Sequence, residues 1–197
     1  MRYRIKRALH VGVLLGAMAG AIPPALAQAS TSLTQAPLPQ SVTDPKGRFT
    51  MNFPSDWEIV TSSEGTIILT ANGPFYAGSR PTINVVVEGS LPEATSPQDL
   101  AAASEQGLKV ILHNYTVIRE SNERVQGRLA YYRYFTWETN TGMVMSVVQM
   151  YFTEGRTGFV ITGNTINEPE RVLHDMPVVN RIIETFRVTL APANTNN

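Results

Sequence analysis

The order in which two hydrophobic periods alternate constrains the fold of this chain more than any single motif. Over residues 49–87 apolar side chains recur at every second position, which predicts short strands joined by turns. A helical period follows over 96–112, further strands over 115–163, and a second helical pattern over 175–186. Strands joined by short turns are antiparallel, and an amphipathic helix must cover a sheet face. The sequence therefore predicts an α+β fold, with an antiparallel β-sheet sandwiched with two main α-helices.

The first helical segment contains residues that favour a helix start. Ser96 is suited to cap the helix, Pro97 to occupy its first position, and Asp99 to face the positive end of the dipole. The residues at three- and four-residue steps form one apolar stripe, namely Leu100, Ala103, Ser104, Gly107, Leu108, Ile111 and Leu112. Gly107 costs about 1 kcal/mol relative to Ala in a helix, so we interpret it as a point of close approach to a sheet.

The second helical segment contains a proline that divides it. Because Pro177 would break one continuous helix, the sequence predicts a separate turn over 168–173 and a helix that starts at Asp175. Asp175 is then interpreted as the helix cap and His174 as a surface residue.

The first 27 residues predict a signal peptide. Four basic residues, Arg2, Arg4, Lys6 and Arg7, precede an uncharged apolar run, and small residues stand before a cleavage point after Ala27. The apolar run is too short to span a bilayer. We therefore expect an exported protein with no stable membrane span after cleavage. The expected compartment is a bacterial periplasm or the extracellular space, with a thylakoid lumen as the alternative.

The remaining chain divides by composition. Residues 28–45 are rich in Gln, Ser, Thr, Ala and Pro, which predicts a flexible leader, and 191–197 are predicted to be a disordered tail. Residues 46–190 are expected to form one domain, and we expect it to be a monomer. Without residues 1–27, twelve basic residues stand against sixteen acidic ones, a net charge of −4. Such a charge disfavours a nucleic-acid partner. The chain has no cysteine, which excludes disulfides, thiolate metal sites and a lipobox.

Residue patterns typical of catalysis and of metal binding are missing from the sequence. There is no nucleophile elbow and no pair of histidines at metal-ligand spacing. We therefore predict a protein that is not an enzyme and has no cofactor. Two alternatives remain open. One is a small-molecule or cation binder that uses the turn containing Glu168, Glu170, His174 and Asp175, and the other is an uncharacterised hydrolase.

Aromatic residues supply the candidate contact surface. Strand alternation sends Tyr131, Phe135 and Trp137 to one face of the sheet and Tyr132 and Tyr134 to the other. One set must be core. The other set either is covered by a helix as well or forms an exposed shelf for a partner.

Two further observations bear on this surface. Arg133 shares the face of Tyr131, which suggests that this face is not wholly buried. The loop over 73–80 carries Phe75, Tyr76 and Arg80 between turn-forming residues. We predict that Phe75, Tyr76, Arg80, Tyr132 and Tyr134 bind a partner.

Three motifs resemble those of the PsbP-like and DcrB-like families of exported proteins, which share the Mog-PsbP fold. They are Phe49-x-Met51-x-Phe53-Pro54-x-x-Trp57, Gly127-Arg128-x-Ala130-Tyr131-Tyr132 and Ile182-Ile183-x-x-Phe186-Arg187. The chain departs from the closing motif at Thr185, where the families typically have Ser. The resemblance covers about residues 46–190.

The resemblance implies an exported, non-enzymatic binding or accessory protein. It also implies docking on an envelope or photosynthetic protein complex, so the expected partner is a protein or protein complex. The missing lipobox cysteine separates this chain from the lipoprotein branches of these families.

Overall fold

The computed structural model of the chain describes residues 37–189. In chain order its elements are β1 (Gln40–Thr43), β2 (Phe49–Phe53), β3 (Glu58–Thr61), β4 (Ile67–Asn72), β5 (Thr82–Glu88), α1 (Pro97–Ile111), β6 (His113–Val125), β7 (Arg128–Glu138), β8 (Val144–Glu154), β9 (Thr157–Ile166), α2 (Pro169–Glu184) and β10 (Arg187–Val188). The predicted signal peptide, residues 28–36 of the predicted leader and the predicted tail lie outside the described residues.

Two antiparallel sheets and two helices make up the fold. The larger sheet has seven strands in the order β3-β4-β5-β9-β8-β7-β6, and the smaller has three in the order β1-β2-β10. α1 packs on one face of the larger sheet, and α2 packs on the other beside the smaller sheet. The predicted α+β architecture is confirmed. Neither helix within 37–189 combines the length and the apolar character that crossing a membrane requires.

The main core lies between the larger sheet, α2 and the smaller sheet. The alternating residues Phe49, Met51 and Phe53 of β2 all point into it and are fully buried. Phe186, directly after α2, packs its ring against those of Phe49 and Phe159, with centroids 5.6 and 5.4 Å apart. Packing of this kind buries large aromatic surfaces and fixes α2 on the sheet.

α1 begins as its sequence predicts, but its glycine has another role. Ser96 caps the helix and exchanges hydrogen bonds with Asp99 in a capping box. No atom lies within 4 Å of the position that a Cβ would take at Gly107, so the prediction of a close approach there is wrong. The close approaches occur instead on β9, where a Cβ at Gly158 would crowd Leu100 of α1 and a Cβ at Gly163 would overlap the side chain of Val179 on α2.

Two other boundaries differ from the prediction. α2 is one helix over Pro169–Glu184 with Pro177 inside it, so the predicted helix start at Asp175 is wrong. Asp175 lies within the helix and is held by Arg171 one turn earlier, so this pair stabilises the segment that precedes Pro177. Gln40–Thr43 is a strand paired with β2 rather than part of a flexible leader.

Candidate functional site

The loop between β4 and β5 presents an exposed aromatic side chain. Phe75 is 62% exposed. The guanidinium of Arg80 lies 5.0 Å from the centre of the Phe75 ring and donates a hydrogen bond to Glu58 at 2.9 Å. These contacts hold an aromatic and a cationic group side by side at the surface.

The same loop is folded into a tight turn. The backbone groups of Tyr76 and Ser79 hydrogen-bond to each other in both directions, at 2.8 and 3.1 Å. Ala77 and Gly78 between them have φ values of 45° and 81°. The left-handed region suits Gly and is unfavourable for Ala, so the turn must be held by contacts elsewhere.

Arg171 of α2 stabilises the turn through hydrogen bonds to its backbone. Its side chain is 1% exposed and donates hydrogen bonds to the carbonyl oxygens of both Tyr76 and Ser79. It also forms an ion pair with Asp175, with 2.6 Å between the guanidinium and the carboxylate. A buried guanidinium with several fixed acceptors gives the loop backbone a defined position.

Asp175 uses both of its carboxylate oxygens. Oδ2 accepts hydrogen bonds from Arg171 and from the hydroxyl of Thr165 on β9, and Oδ1 lies 2.7 Å from Nδ1 of His174. The side chain is 2% exposed. This buried charge is thus paired and hydrogen-bonded, which is the condition under which a folded protein retains one.

Tyr76 connects the loop to α2 through its side chain as well. Its ring stacks on the His174 ring, with centroids 4.1 Å apart and 6° between the planes. Its hydroxyl donates a hydrogen bond to the carboxylate of Glu170. This hydrogen bond and the negative charge of Glu170 raise the pKa of Tyr76 above its ordinary value.

A cleft opens beside this anchor. Its cavity volume is about 50 Å³ and it is partly open to solvent, and its walls come from the turn after β2, the loop and α2. The residues that line the cleft are Pro54, Asp56, Trp57, Pro74, Pro81, His174, Asp175 and Val178. The cleft is largely apolar, because three prolines, a tryptophan and a valine line it. The imidazole of His174 adds a polar group to its wall.

The structure brings together three of the five predicted contact residues, Phe75, Tyr76 and Arg80. Strand alternation places Tyr132 and Tyr134 on one face as predicted, but this is the face of the main core, and Tyr132 is only 4% exposed. Because the core covers it, Tyr132 is no part of an exposed shelf. Tyr134 is half-buried under the guanidinium of Arg119.

The face that carries Tyr131 is also covered. Arg133 is buried and donates hydrogen bonds to Glu120, Glu105 and the carbonyl oxygen of Ala101 on α1. The interpretation that Arg133 marks an open face is therefore wrong, because α1 and two carboxylates satisfy its charge.

The residues of the 168–175 turn do not converge on a metal site. Glu170 bonds to Tyr76, and Asp175 bonds within the buried network. No group of three or more His, Asp or Glu residues that could hold a metal ion occurs within 37–189. The cation alternative therefore has no ligand set in this part of the chain. For the hydrolase alternative, no hydroxyl among the described residues is hydrogen-bonded to His174 as an activated nucleophile would be.

Arg171 is the site residue that sequence reasoning missed. Its spacing of four from Asp175 is typical of exposed helix ion pairs, so the pattern carries no sign of burial. The prolines that flank the loop, Pro74 and Pro81, are a sequence feature that could have suggested a defined loop.

Two solved structures resemble this chain. The solution structure of cyanobacterial PsbP (CyanoP) from Synechocystis aligns with a TM-score of 0.56 at 13% identity, over 76% of this chain and 91% of that one. The crystal structure of LpqN, which is involved in cell envelope biogenesis in Mycobacterium tuberculosis, aligns with a TM-score of 0.54 at 18% identity, over 77% and 90%. No protein-family model matches the chain, and no curated protein matches its sequence. The chain has the PsbP-like fold that its motifs predict.

Proposed function

We propose that this chain is an exported, non-enzymatic accessory protein that docks on a protein or protein complex through the loop over residues 73–81. The observation that carries the proposal is Phe75, an exposed aromatic side chain on a loop whose backbone is fixed by the buried Arg171. Aromatic and arginine side chains dominate the binding energy of protein interfaces.

The anchor explains why this loop is suited to docking. Binding to a mobile loop loses free energy because the loop must first be ordered. Here the hydrogen bonds of Arg171 and the stacking of Tyr76 on His174 order it before a partner arrives. Phe75 and Arg80 then form the contact surface, and Tyr76 holds the loop in place.

Residues 1–27 complete the proposal as a signal peptide. The similarity in fold to LpqN, which is involved in cell envelope biogenesis, supports an envelope location, and the resemblance of the motifs to the PsbP-like family leaves the thylakoid lumen as the alternative. We propose a monomer that docks on a larger complex.

Affinity capture with matched variants tests the docking role. Residues 28–197 and their Phe75→Ala variant are immobilised and exposed to native envelope extract, and the retained proteins are quantified by mass spectrometry. We expect one dominant partner whose capture falls at least tenfold with Phe75→Ala, because truncation of a central aromatic contact weakens binding by a factor of this order.

The control is Ile118→Ala on β6, which removes an apolar side chain that is 66% exposed. Capture by this variant should equal that of the unmodified protein. Equal capture by the Phe75→Ala variant, or no protein retained above a blank column, contradicts the docking role.

A further inference from the structure

We propose that an uncharged polar face of the larger sheet binds an extended, neutral saccharide chain. This inference goes beyond the docking role and depends on no residue of the loop over 73–81. Two half-buried side chains from each of three neighbouring strands, β4, β5 and β9, form the face. We call this set the polar grid, and its members are Thr70, Asn72, Thr82, Asn84, Thr162 and Asn164.

The strand registers arrange the polar grid in two rows that run across the strands. One row is Thr70, Asn84 and Thr162, and the other is Asn72, Thr82 and Asn164. Neighbouring strands lie about 4.8 Å apart, a spacing close to the length of one sugar ring in a chain. An extended saccharide can therefore lie along a row with about one ring over each strand.

The polar grid faces away from the main core. The residues between its members, Ala71, Ile83 and Ile161, are buried in the main core, so strand alternation turns the grid to the opposite face. α1 packs on that face over β6, β7 and β8, and its N-terminal part packs over Val86 and Val160. The members of the grid remain partly exposed beside the helix.

The composition of the polar grid is unusual for an exposed sheet face. Asn is disfavoured in strands, yet each of the three strands contributes one Asn to the grid. Protein surfaces normally carry many charged side chains, and β6 at the edge of the same sheet exposes Arg119, Glu120, Glu123 and Arg124. The grid has no charged member, which suits an uncharged ligand.

The charge that borders the polar grid is already matched. Glu58 of β3 lies opposite Asn72 in the register, and Arg80 donates a hydrogen bond to its carboxylate at 2.9 Å. The pair adds no net charge beside the grid. A neutral ligand can therefore approach the grid without meeting an unpaired charge at this border.

One row of the polar grid is held in place by hydrogen bonds. The Thr70 hydroxyl donates to the side-chain oxygen of Asn84 at 2.9 Å, and the amide of the buried Gln149 donates to the Thr162 hydroxyl at 3.0 Å. These bonds fix the directions of the side chains before a ligand arrives. Such preorganisation lowers the entropic cost of binding.

The other row has its hydrogen-bonding groups free. Within residues 37–189 no hydrogen bond engages the side chains of Asn72, Thr82 or Asn164, and none of their polar atoms is buried without a partner, so these groups face solvent. Amides and hydroxyls both donate and accept hydrogen bonds, as the hydroxyls of a sugar do. The row therefore matches a saccharide in chemistry as well as in charge.

Titrations with neutral hexasaccharides test the inference on the unmodified protein. The probes are β-linked cellohexaose, mannohexaose and chitohexaose, which are extended, and α-linked maltohexaose, which is curved. NMR follows the side-chain amide signals of Asn72, Asn84 and Asn164. We expect saturable shifts of these signals with at least one extended chain, and we expect maltohexaose to bind about tenfold more weakly than that chain because its curvature breaks contacts along the row. Equal affinity for maltohexaose, shifts confined to other residues, or no shift with any probe overturns the inference.

Matched variants assign the binding to the polar grid. Asn164→Ala and Thr82→Val each remove one free polar group, and valine keeps the shape of threonine. Each should weaken binding of the extended chain about threefold to tenfold, the worth of one hydrogen bond. The control is Asn122→Ala, which removes an exposed amide from β6 at the far edge of the sheet and should leave the affinity unchanged. Binding by both grid variants that equals the control overturns the inference, and if Asn164→Ala does not fold, Thr82→Val decides.

Two further readouts separate this site from other modes of binding. Because the grid carries no charge, the affinity for the saccharide should not change with salt, and a strong salt dependence overturns the inference. The Phe75→Ala variant should bind the saccharide unchanged, so loss of docking and loss of saccharide binding are separable. A captured protein that is lost with Asn164→Ala, while no saccharide shifts the grid signals, would make this face a protein contact and overturn the inference.

Discussion

Arg171 is placed where arginine is seldom found, because its whole side chain lies inside the protein. The two terminal nitrogens of its guanidinium donate to one carboxylate and to two carbonyl oxygens of the loop over 73–81. A lysine could not supply the same fork of donors to three acceptors in fixed directions. The arginine at position 171 therefore couples α2 to the loop, and another residue type could not replace it.

Removal of the charge at Arg171 should be costly. In the Arg171→Met variant Asp175 stays buried without its cation, so we expect the free energy of unfolding to fall by about 3–5 kcal/mol. Lys109→Met is the control, because Lys109 pairs with Glu105 on the exposed face of α1 and its loss should cost less than about 1 kcal/mol. Urea unfolding of the two variants measures the difference, and equal losses would contradict the structural role of the buried pair.

Asp44 makes the stability of the fold depend on pH in the acid range. Burial raises the pKa of Asp44, but the hydrogen bonds and positive charge of Arg48 outweigh burial and lower the pKa below its ordinary value. A carboxyl group with a lowered pKa stabilises the fold above its unfolded pKa, and this contribution disappears as the pH falls through the lower folded value.

We therefore expect Asp44→Asn to cost about 1.5–3 kcal/mol at neutral pH, the range for hydrogen bonds to a charged group. The difference from the unmodified protein should shrink below about pH 4. Unfolding curves of both proteins at neutral and acid pH test this prediction. A difference between them that stays constant across the range would show that Asp44 does not cause the loss of stability at acid pH.

Sequence reasoning succeeded at residues where the pattern and the burial agree. Phe49, Met51 and Phe53 alternate with polar residues, and all three are buried as predicted. It did not find Arg171 and Asp175 because two opposite charges four residues apart look the same on an exposed helix and on a buried one. Burial there depends on a loop nearly a hundred positions earlier, which no local period records.

At the level of elements, a glycine within a helix and a glycine beneath a helix differ in the space around them. Gly107 lies in α1 with open space around it, whereas Gly163 of β9 lies directly under Val179 of α2. The same substitution should therefore have opposite effects in the two places.

Gly107→Ala should stabilise the protein by about 0.5–1 kcal/mol. Alanine restricts the unfolded chain and favours the helix, and its methyl group meets no atom here. Thermal unfolding should show a higher midpoint, and a lower midpoint would mean that the helix contains strain at this position.

Gly163→Ala should destabilise the protein by about 1–3 kcal/mol, because the methyl group would push α2 away from β9. The same thermal measurement applies, with Gly107→Ala as the matched control for the change of residue type. An unchanged midpoint would show that α2 can shift without loss of packing.

The boundaries of the elements were predicted less well than their order. Pro177 is compatible with α2 because the buried pair of Arg171 and Asp175 and the packed residues Val178 and Val179 hold the helix on both sides of it. β1 escaped prediction because its four residues have little apolar content and form a strand only by pairing with β2. Both outcomes depend on tertiary contacts rather than on local propensity.

The whole molecule responds to alkaline pH through its buried tyrosines. Burial raises the pKa of Tyr132, Tyr134 and Tyr115, and it raises the pKa of Tyr151 to about 12. A tyrosine with a raised pKa stabilises the fold below its unfolded pKa of about 10, and this stability is lost as the pH rises toward the folded value.

We expect the free energy of unfolding to stay level from neutral pH up to about pH 10 and to fall above it. Tyr151 alone should account for roughly 1 kcal/mol of this loss at about pH 11. Urea unfolding across this range measures the slope, and the phenolate absorbance should rise together with unfolding. Tyr151→Phe should reduce the slope. A slope that the variant leaves unchanged would assign the effect to the other tyrosines.

β2 lies between the first and the last strand of the described chain, since β1 pairs with one of its edges and β10 with the other. A ribosome releases β10 only after every other element of 37–189 has emerged. Until then β2 lacks one neighbour. The smaller sheet therefore cannot close before β10 is available. For the export proposed above such a delay is useful, because a chain crosses a narrow translocon more easily while its smaller sheet is still open.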